Sequence, residues 1–167
     1  MRNVINIRKV DAADANTLAF IQTESWKSAF CDILSEEDLA KYTELNRAIT
    51  MYNKLLSGDI GHGFILTIDG NPHCIAYWDI ARDQEMEGYS EIICIHSLCG
   101  NWGKGYGTAM MNHILSDINN AGFKNVMLWV FKENQRARHF YEKHGFVLTE
   151  KYKEFNGAIE VMYCKTL

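Results

Sequence analysis

Trp102-Gly103-Lys104-Gly105-Tyr106-Gly107-Thr108 stands between an apolar run, Tyr89 to Leu98, and a segment carrying Met111, Ile114, Leu115 and Ile118 at helical spacing. A second apolar run, Val126 to Phe131, follows. Strand, glycine-rich loop, helix and strand in this order make a crossover unit whose two strands lie parallel in one sheet. Alternate glycines let a ligand approach the backbone closely, and the exposed amides together with the helix N-terminus favour a phosphate. The spacing is not a dinucleotide fingerprint, because Thr108 stands where Gly-x-Gly-x-x-Gly needs its third glycine. It is not a Walker loop either: Leu98 occupies the first glycine position, and Gly105 follows the lysine in place of Ser or Thr. Taken alone, the loop is equally consistent with a mobile strand-to-helix connection.

Working outward, Gly63 to Asp69 and His73 to Arg82 read as strands joined through the turn cluster Asp69-Gly70-Asn71-Pro72, and with Tyr89 to Leu98 they make an antiparallel meander. Before them, Val4 to Val10 reads as a first strand. Asp14 is placed to cap a helix with Leu18, Ile21 and Trp26 on its apolar face. Ser35-Glu36-Glu37-Asp38 resembles a capping box, and Ala48, Ile49, Tyr52, Leu55 and Leu56 mark a further helix ending at Gly58. After Phe131, Asn134 to His144 has helical spacing with Gly145 as its stop. The strands Phe146 to Tyr152 and Ile159 to Cys164 flank the hairpin signal Asn156-Gly157. The expected architecture is α/β, a mixed sheet flanked by helices, in one domain over residues 1–167.

Composition sets the outer limits. With 47% hydrophobic and 23% charged residues among 167, the chain has a globular balance and enough length for a full core. A net charge of -4 argues against a broad nucleic-acid face. Five cysteines without a Cys-x-x-Cys pair indicate neither a disulfide framework nor a metal site, so buried, reduced thiols are expected. The N-terminal residues lack the apolar core of a signal peptide, and the longest apolar run is too short to cross a membrane, which points to a cytoplasmic protein without a membrane partner. The C-terminal hairpin could supply a strand for a homodimer.

Two motifs resemble the GNAT superfamily of N-acetyltransferases. Its core motif, Gln/Arg-x-x-Gly-x-Gly/Ala between a strand and a helix, is matched at Gly105 and Gly107. Thirty residues on, Asn134, Ala137, Phe140-Tyr141-Glu142-Lys143 and Gly145-Phe146 are similar to the second signature of the family. The resemblance covers nearly the whole chain and implies the acyl-CoA N-acyltransferase fold, with acetyl-CoA as co-substrate and no metal. It places the pyrophosphate on Gly103, Lys104, Gly105, Tyr106, Gly107 and Thr108. Ser97 and Leu98 would hold the oxyanion and the pantetheine amides with backbone groups, where the strand splays from its neighbour, and Asn134 and Ala137 would contact the cofactor from the opposite side. Trp102 departs from the family, standing where Gln or Arg is usual. Lys104 could compensate at that phosphate, and Arg136 or Arg138 could meet another.

Acetyl transfer needs a neutral amine, a site for the oxyanion and a proton for the thiolate. A lysine-like amine has pKa about 10.4, so reaching its free base at neutral pH costs roughly 4 to 5 kcal/mol. A base is therefore useful. Glu91 matches the glutamate position of histone-modifying relatives, acting directly or through water, and His96 is the alternative. Tyr141 falls on the tyrosine whose hydroxyl protonates the thiolate in the family. The acceptor, a small-molecule or peptide amine, would lie between the early helices and the sheet, with Trp26, Phe30 and Tyr42 as lining and Asp32, Glu36 and Glu37 as attracting charges. A rival reading keeps the fold and the acetyl-CoA site in a regulatory module without efficient turnover.

Overall fold

The computed structural model describes residues 2–167. Seven strands form one sheet: β1 (Ile5–Lys9), β2 (His62–Ile68), β3 (Asn71–Ile80), β4 (Ser90–Ser97), β5 (Asn125–Phe131), β6 (Val147–Phe155) and β7 (Ala158–Thr166). Their order across the sheet is β1-β2-β3-β4-β5-β7-β6, antiparallel except for the parallel pair β4 and β5. Five helices join them: α1 (Ala15–Ala29), α2 (Glu36–Tyr42), α3 (Leu45–Ser57), α4 (Tyr106–Asn120) and α5 (Gln135–Lys143). The mixed sheet expected from the crossover unit is present, and β7 inserts between β5 and β6 to complete it.

Both faces of the central strands are covered, which explains why their sequences run apolar without strict alternation. Phe64, Leu66, Cys74, Ala76 and Trp78 pack with Met110, Met111, Ile114 and Ile118 of α4. Their neighbours Ile65, Ile75 and Tyr77 pack on the other face with Leu18 and Ile21 of α1 and Ala48 and Tyr52 of α3.

The caps fall as the sequence suggests, with one exception. Ser35 Oγ accepts from the Asp38 amide at 3.1 Å, the capping bond expected at the start of α2. Asp14 precedes α1 but makes no side-chain capping bond. Its carboxylate instead takes the Arg8 guanidinium at 2.8 and 2.9 Å and the Asp11 amide at 2.7 Å. A bidentate charge-assisted pair outcompetes a bond to a neutral amide. The Arg8 guanidinium also holds the Asp14 carboxyl below the usual carboxylate range. The five cysteines are free thiols as expected, yet Cys31 and Cys99 are exposed, and only Cys74 is fully buried. No helix among the described residues is long and apolar enough to cross a membrane.

Candidate active site

The site begins where β4 and β5 part. They pair only from Ser90 opposite Val126 to Ile92 opposite Leu128. Immediately afterwards, the register between β3 and β4 slips by one residue at Ile93. A bulge of this kind bends the strand and increases its twist, so β4 turns away and a gap opens. The gap is the floor of a cleft of about 750 Å³ running over residues of β4, the glycine loop, α5, α1 and the β6–β7 hairpin.

Backbone groups of β4 face that gap in a definable way. Leu98 N donates to His73 O at 3.1 Å. Pairs in an antiparallel ladder alternate between bonded and non-bonded. With Cys74 opposite Ser97 and Ala76 opposite Ile95, the amides of Ile95 and Ser97 therefore point away from β3 and into the gap. The expected contribution of Leu98 is corrected accordingly: its amide is spent on His73, and its side chain packs with the α1 and α3 core. Ser97 keeps its amide, while its carbonyl accepts from Trp102 Nε1 at 3.1 Å.

At one end of the cleft the chain passes through Gly103 and Gly105, both at positive φ (77° and 86°), before α4 begins. A Cβ added at either would meet nothing within 4 Å, so the backbone borders open space that a phosphate can enter. Glycine is needed here for the left-handed turn. The amides at the start of α4 are then unobstructed, and the helix dipole favours an anion. Gly103, Gly105, Gly107 and Thr108 line the cleft. Tyr106 turns its ring into the core, where its hydroxyl accepts from Asn3 Nδ2 at 2.8 Å. Lys104 is not on the wall and reaches Asn101 Oδ1 at 2.8 Å.

The atypical Trp102 has a partner. The Arg136 guanidinium lies 3.5 Å from the centroid of the Trp102 ring, a cation–π stack that carries positive charge from α5 across to the glycine loop. Trp102 is itself pinned by its bond to Ser97. Arg138 is committed elsewhere, to Tyr163 Oη at 2.9 Å and the Lys132 carbonyl at 2.9 Å. Of the two arginines, Arg136 alone borders the cleft.

Tyr141 is set by the end of its helix. Gly145 N donates to Glu142 O and Phe146 N to Tyr141 O, both near 3 Å, with Gly145 at φ 83°. This is a Schellman motif, and its usual apolar contact is the edge-on packing of Phe146 against the Tyr141 ring at 6.0 Å. The spacing of Tyr141, Gly145 and Phe146 thus has a mechanical meaning: it fixes a tyrosine on the cleft wall. Burial raises the Tyr141 phenol well above its usual range, with a smaller contribution from Cys94 and an opposing one from Arg136, so it holds its proton at neutral pH. Asn134 caps the other end of α5, accepting from Ala137 N at 3.2 Å. Both residues line the cleft.

The far end is aromatic. Trp26 and Phe30 of α1 meet edge to face at 5.0 Å, Phe30 meets Phe131 at 4.9 Å, and Trp26 meets Phe155 at 6.4 Å. Trp26, Phe30, Phe131 and Phe155 all line the cleft, with Tyr42 packed behind at 5.1 Å from Phe155. Asp32, Glu36 and Glu37 do not reach the wall and are exposed to solvent.

The two expected bases part company. His96 lines the cleft with its ring 6.4 Å from Trp26, and burial lowers its pKa to about 4, so it stays neutral at physiological pH. The Glu91 side chain is buried off the wall. Its carboxylate takes Arg82 Nη2 at 2.7 Å, Arg82 Nε at 3.0 Å and the Arg82 amide at 3.1 Å. A different carboxylate faces the cleft, that of Glu160 on β7, opposite Phe131 of β5. Sequence reading passes over it, although the only acid in the apolar strand Ala158–Thr166 is the kind of signal that could have drawn attention.

Residues 23–146 match the model of the acetyltransferase (GNAT) family. The chain belongs to the GNAT acetyltransferase family. An uncharacterized N-acetyltransferase of Mycobacterium tuberculosis is 26% identical over 133 residues, 80% of this chain and 83% of that one. N-alpha-acetyltransferase 50 of Danio rerio is 40% identical over 57 residues, 34% of each chain. In three dimensions this GNAT chain superposes with TM-score 0.81 on PaiA N-acetyltransferase from Thermoplasma acidophilum in complex with coenzyme A. That alignment covers 98% of this chain and 99% of the other at 19% identity.

Proposed function

We propose that the protein transfers the acetyl group of acetyl-CoA to a primary amine of a small molecule or peptide, by direct attack of the amine on the thioester. The observation that carries this reading is the one cleft lined along its length by an open glycine loop, outward-facing β4 amides, a protonated tyrosine and an aromatic pocket. The residues present fit the donor. Gly103 to Thr108 would hold its pyrophosphate with backbone amides, Arg136 on Trp102 would supply the cation that Lys104, turned to Asn101, does not bring to the wall, and the Ile95 and Ser97 amides would bind its pantetheine or thioester oxygen. Acetyl-CoA supplies a carbonyl already activated toward nitrogen nucleophiles.

The chain contributes placement and proton transfer. Donors fixed on a strand do not need to reorganise as negative charge builds on the carbonyl oxygen, which is what makes them effective. Tyr141, kept un-ionised by its burial, holds a proton for the departing sulfur. His96, neutral on the same wall, can hydrogen-bond the incoming amine or a water beside it.

Acetyl-CoA should raise the thermal unfolding midpoint, and NAD or ATP should do so far less, because a ligand that binds only the folded state stabilises it. Arg136→Ala should need about tenfold more acetyl-CoA for the same shift, equivalent to losing one charge-assisted contact of about 1.4 kcal/mol. Lys104→Ala should change it by less than threefold. An equal response to all three ligands would remove the support for this reading.

A further inference from the structure

Resting on the transferase reading above, the geometry points to an arylalkyl monoamine as the acceptor, its ring packed against Trp26, Phe30 and Phe155 and its ammonium facing Glu160, the residue that takes its proton. Three features of the cleft wall carry this. The first is that the acceptor end is built of large flat side chains from three separate elements. Trp26 and Phe30 come from α1, Phe131 from the end of β5, and Phe155 from the tip of the β6–β7 hairpin, where Phe155 pairs with Ala158 around Asn156-Gly157. Such a wall favours an apolar or aromatic body.

The second feature is the charge count. Among the described residues lining the cleft, Glu160 is the only acid. One carboxylate serves one ammonium, whereas a polyamine would leave further cations against apolar surface. The lysine and arginine on the wall, Lys143 and Arg136, both belong to α5. A free amino acid would therefore bring its carboxylate to an aromatic end with no lysine or arginine on the cleft wall.

The third is the setting of Glu160 itself. Its side chain is 19% exposed and its partner Lys153 Nζ is 3.7 Å away, too long for a tight ion pair, while Lys153 also lies 4.4 Å from the Trp129 ring centroid. Arg82 and Glu91 face it from the β3 and β4 side, with Arg82 already committed to Glu91. Burial raises the Glu160 carboxyl above its ordinary range, against the opposing influence of Lys153 and Arg82. A carboxylate that is loosely paired and more basic than usual is suited to accept a proton from an ammonium.

The protons balance as follows. An ammonium N–H bond breaks and its proton goes to a Glu160 carboxylate oxygen. The freed lone pair forms the N–C bond to the acetyl carbonyl carbon, and the C–S bond breaks with its electrons leaving on sulfur. Tyr141 protonates that sulfur. The second proton lost by the nitrogen restores Tyr141, and Glu160 returns the first to solvent.

The test compares 2-phenylethylamine, ethylamine, spermidine and glycine as acceptors with the full chain and acetyl-CoA. We expect kcat/KM for 2-phenylethylamine to exceed that for each of the others at least tenfold. Trp26→Ala should raise its KM at least tenfold and lower the preference for 2-phenylethylamine over ethylamine at least fivefold; if that variant does not fold, Phe155→Leu at the hairpin tip should lower the same preference. Glu160→Gln should lower kcat at least tenfold and remove the acid limb of the kcat–pH profile, since the carboxylate must be ionised and activity falls as pH drops through its pKa. A preference for spermidine or glycine, or a Glu160→Gln enzyme with unchanged kcat and pH profile, overturns the inference and leaves the transferase reading standing. Acetyl-CoA binding without turnover of any amine overturns both.

Discussion

Tyr141→Phe is expected to lower kcat by about 10- to 100-fold, with acetyl-CoA binding changed less than threefold. The ring would stay where it is, because the Schellman motif fixes the backbone and Phe146 packs against the ring edge. Only the hydroxyl proton is lost. General acids contribute typically about 10²–10⁴-fold, and a thiolate is a good enough leaving group to place the effect at or below the lower limit of that range. Steady-state kinetics of thiol release, paired with thermal shifts at graded acetyl-CoA, separate the two quantities. A variant that keeps its turnover would remove Tyr141 from the mechanism. A variant that loses affinity as well would make the residue part of the binding wall.

Arg82→Ala should be strongly destabilising although the side chain it removes is largely exposed. It strips two of the three hydrogen bonds from a Glu91 side chain that is 3% exposed, leaving a carboxylate in the sheet with only the Arg82 backbone amide. Breaking a buried pair costs about 3–5 kcal/mol. The Arg82 side chain is 64% exposed, so water can reach the pair from one side, and about 2–3 kcal/mol is expected. For a chain of this size that lowers the melting temperature by roughly 4–12 °C. Replacing both partners, Arg82→Leu with Glu91→Leu, should recover most of the loss. The same pair decides what Glu91 does. If its carboxylate is structural, Glu91→Gln should keep kcat within about threefold below the melting temperature. A hundredfold fall would return it to the role of base.

Much of this was legible in the sequence because the informative signals are local. The turn at Gly103 and Gly105, the Schellman sequence from Tyr141 to Phe146 and the Asn156-Gly157 hairpin are each settled by a few neighbouring residues, and each stands where spacing places it. What the sequence leaves open depends on register between distant strands. The gap beyond Ile92 follows from a one-residue slip against β3, and nothing in the apolar run Ser90–Ser97 announces it. The slip also sets Glu91, opposite Asp79, and His96, opposite Ile75, on one face of the sheet, and it is the folding of Glu91 back onto Arg82 that leaves only His96 on the cleft wall. Glu160 reaches the cleft because β7 inserts beside β5 and sets it opposite Phe131. Trp102 shows the same limit: as a letter in a motif it looks like a lost phosphate contact, whereas in space it is the platform for Arg136.

The most direct test of the account is a paired measurement of coenzyme A thiol released and acetylated amine formed, the second by mass spectrometry, with purified protein, acetyl-CoA and an amine panel. The account predicts the two in equal amounts, both dependent on amine and both reduced in Tyr141→Phe. Thiol released at the same rate without any amine, or none released with all of them, would contradict it.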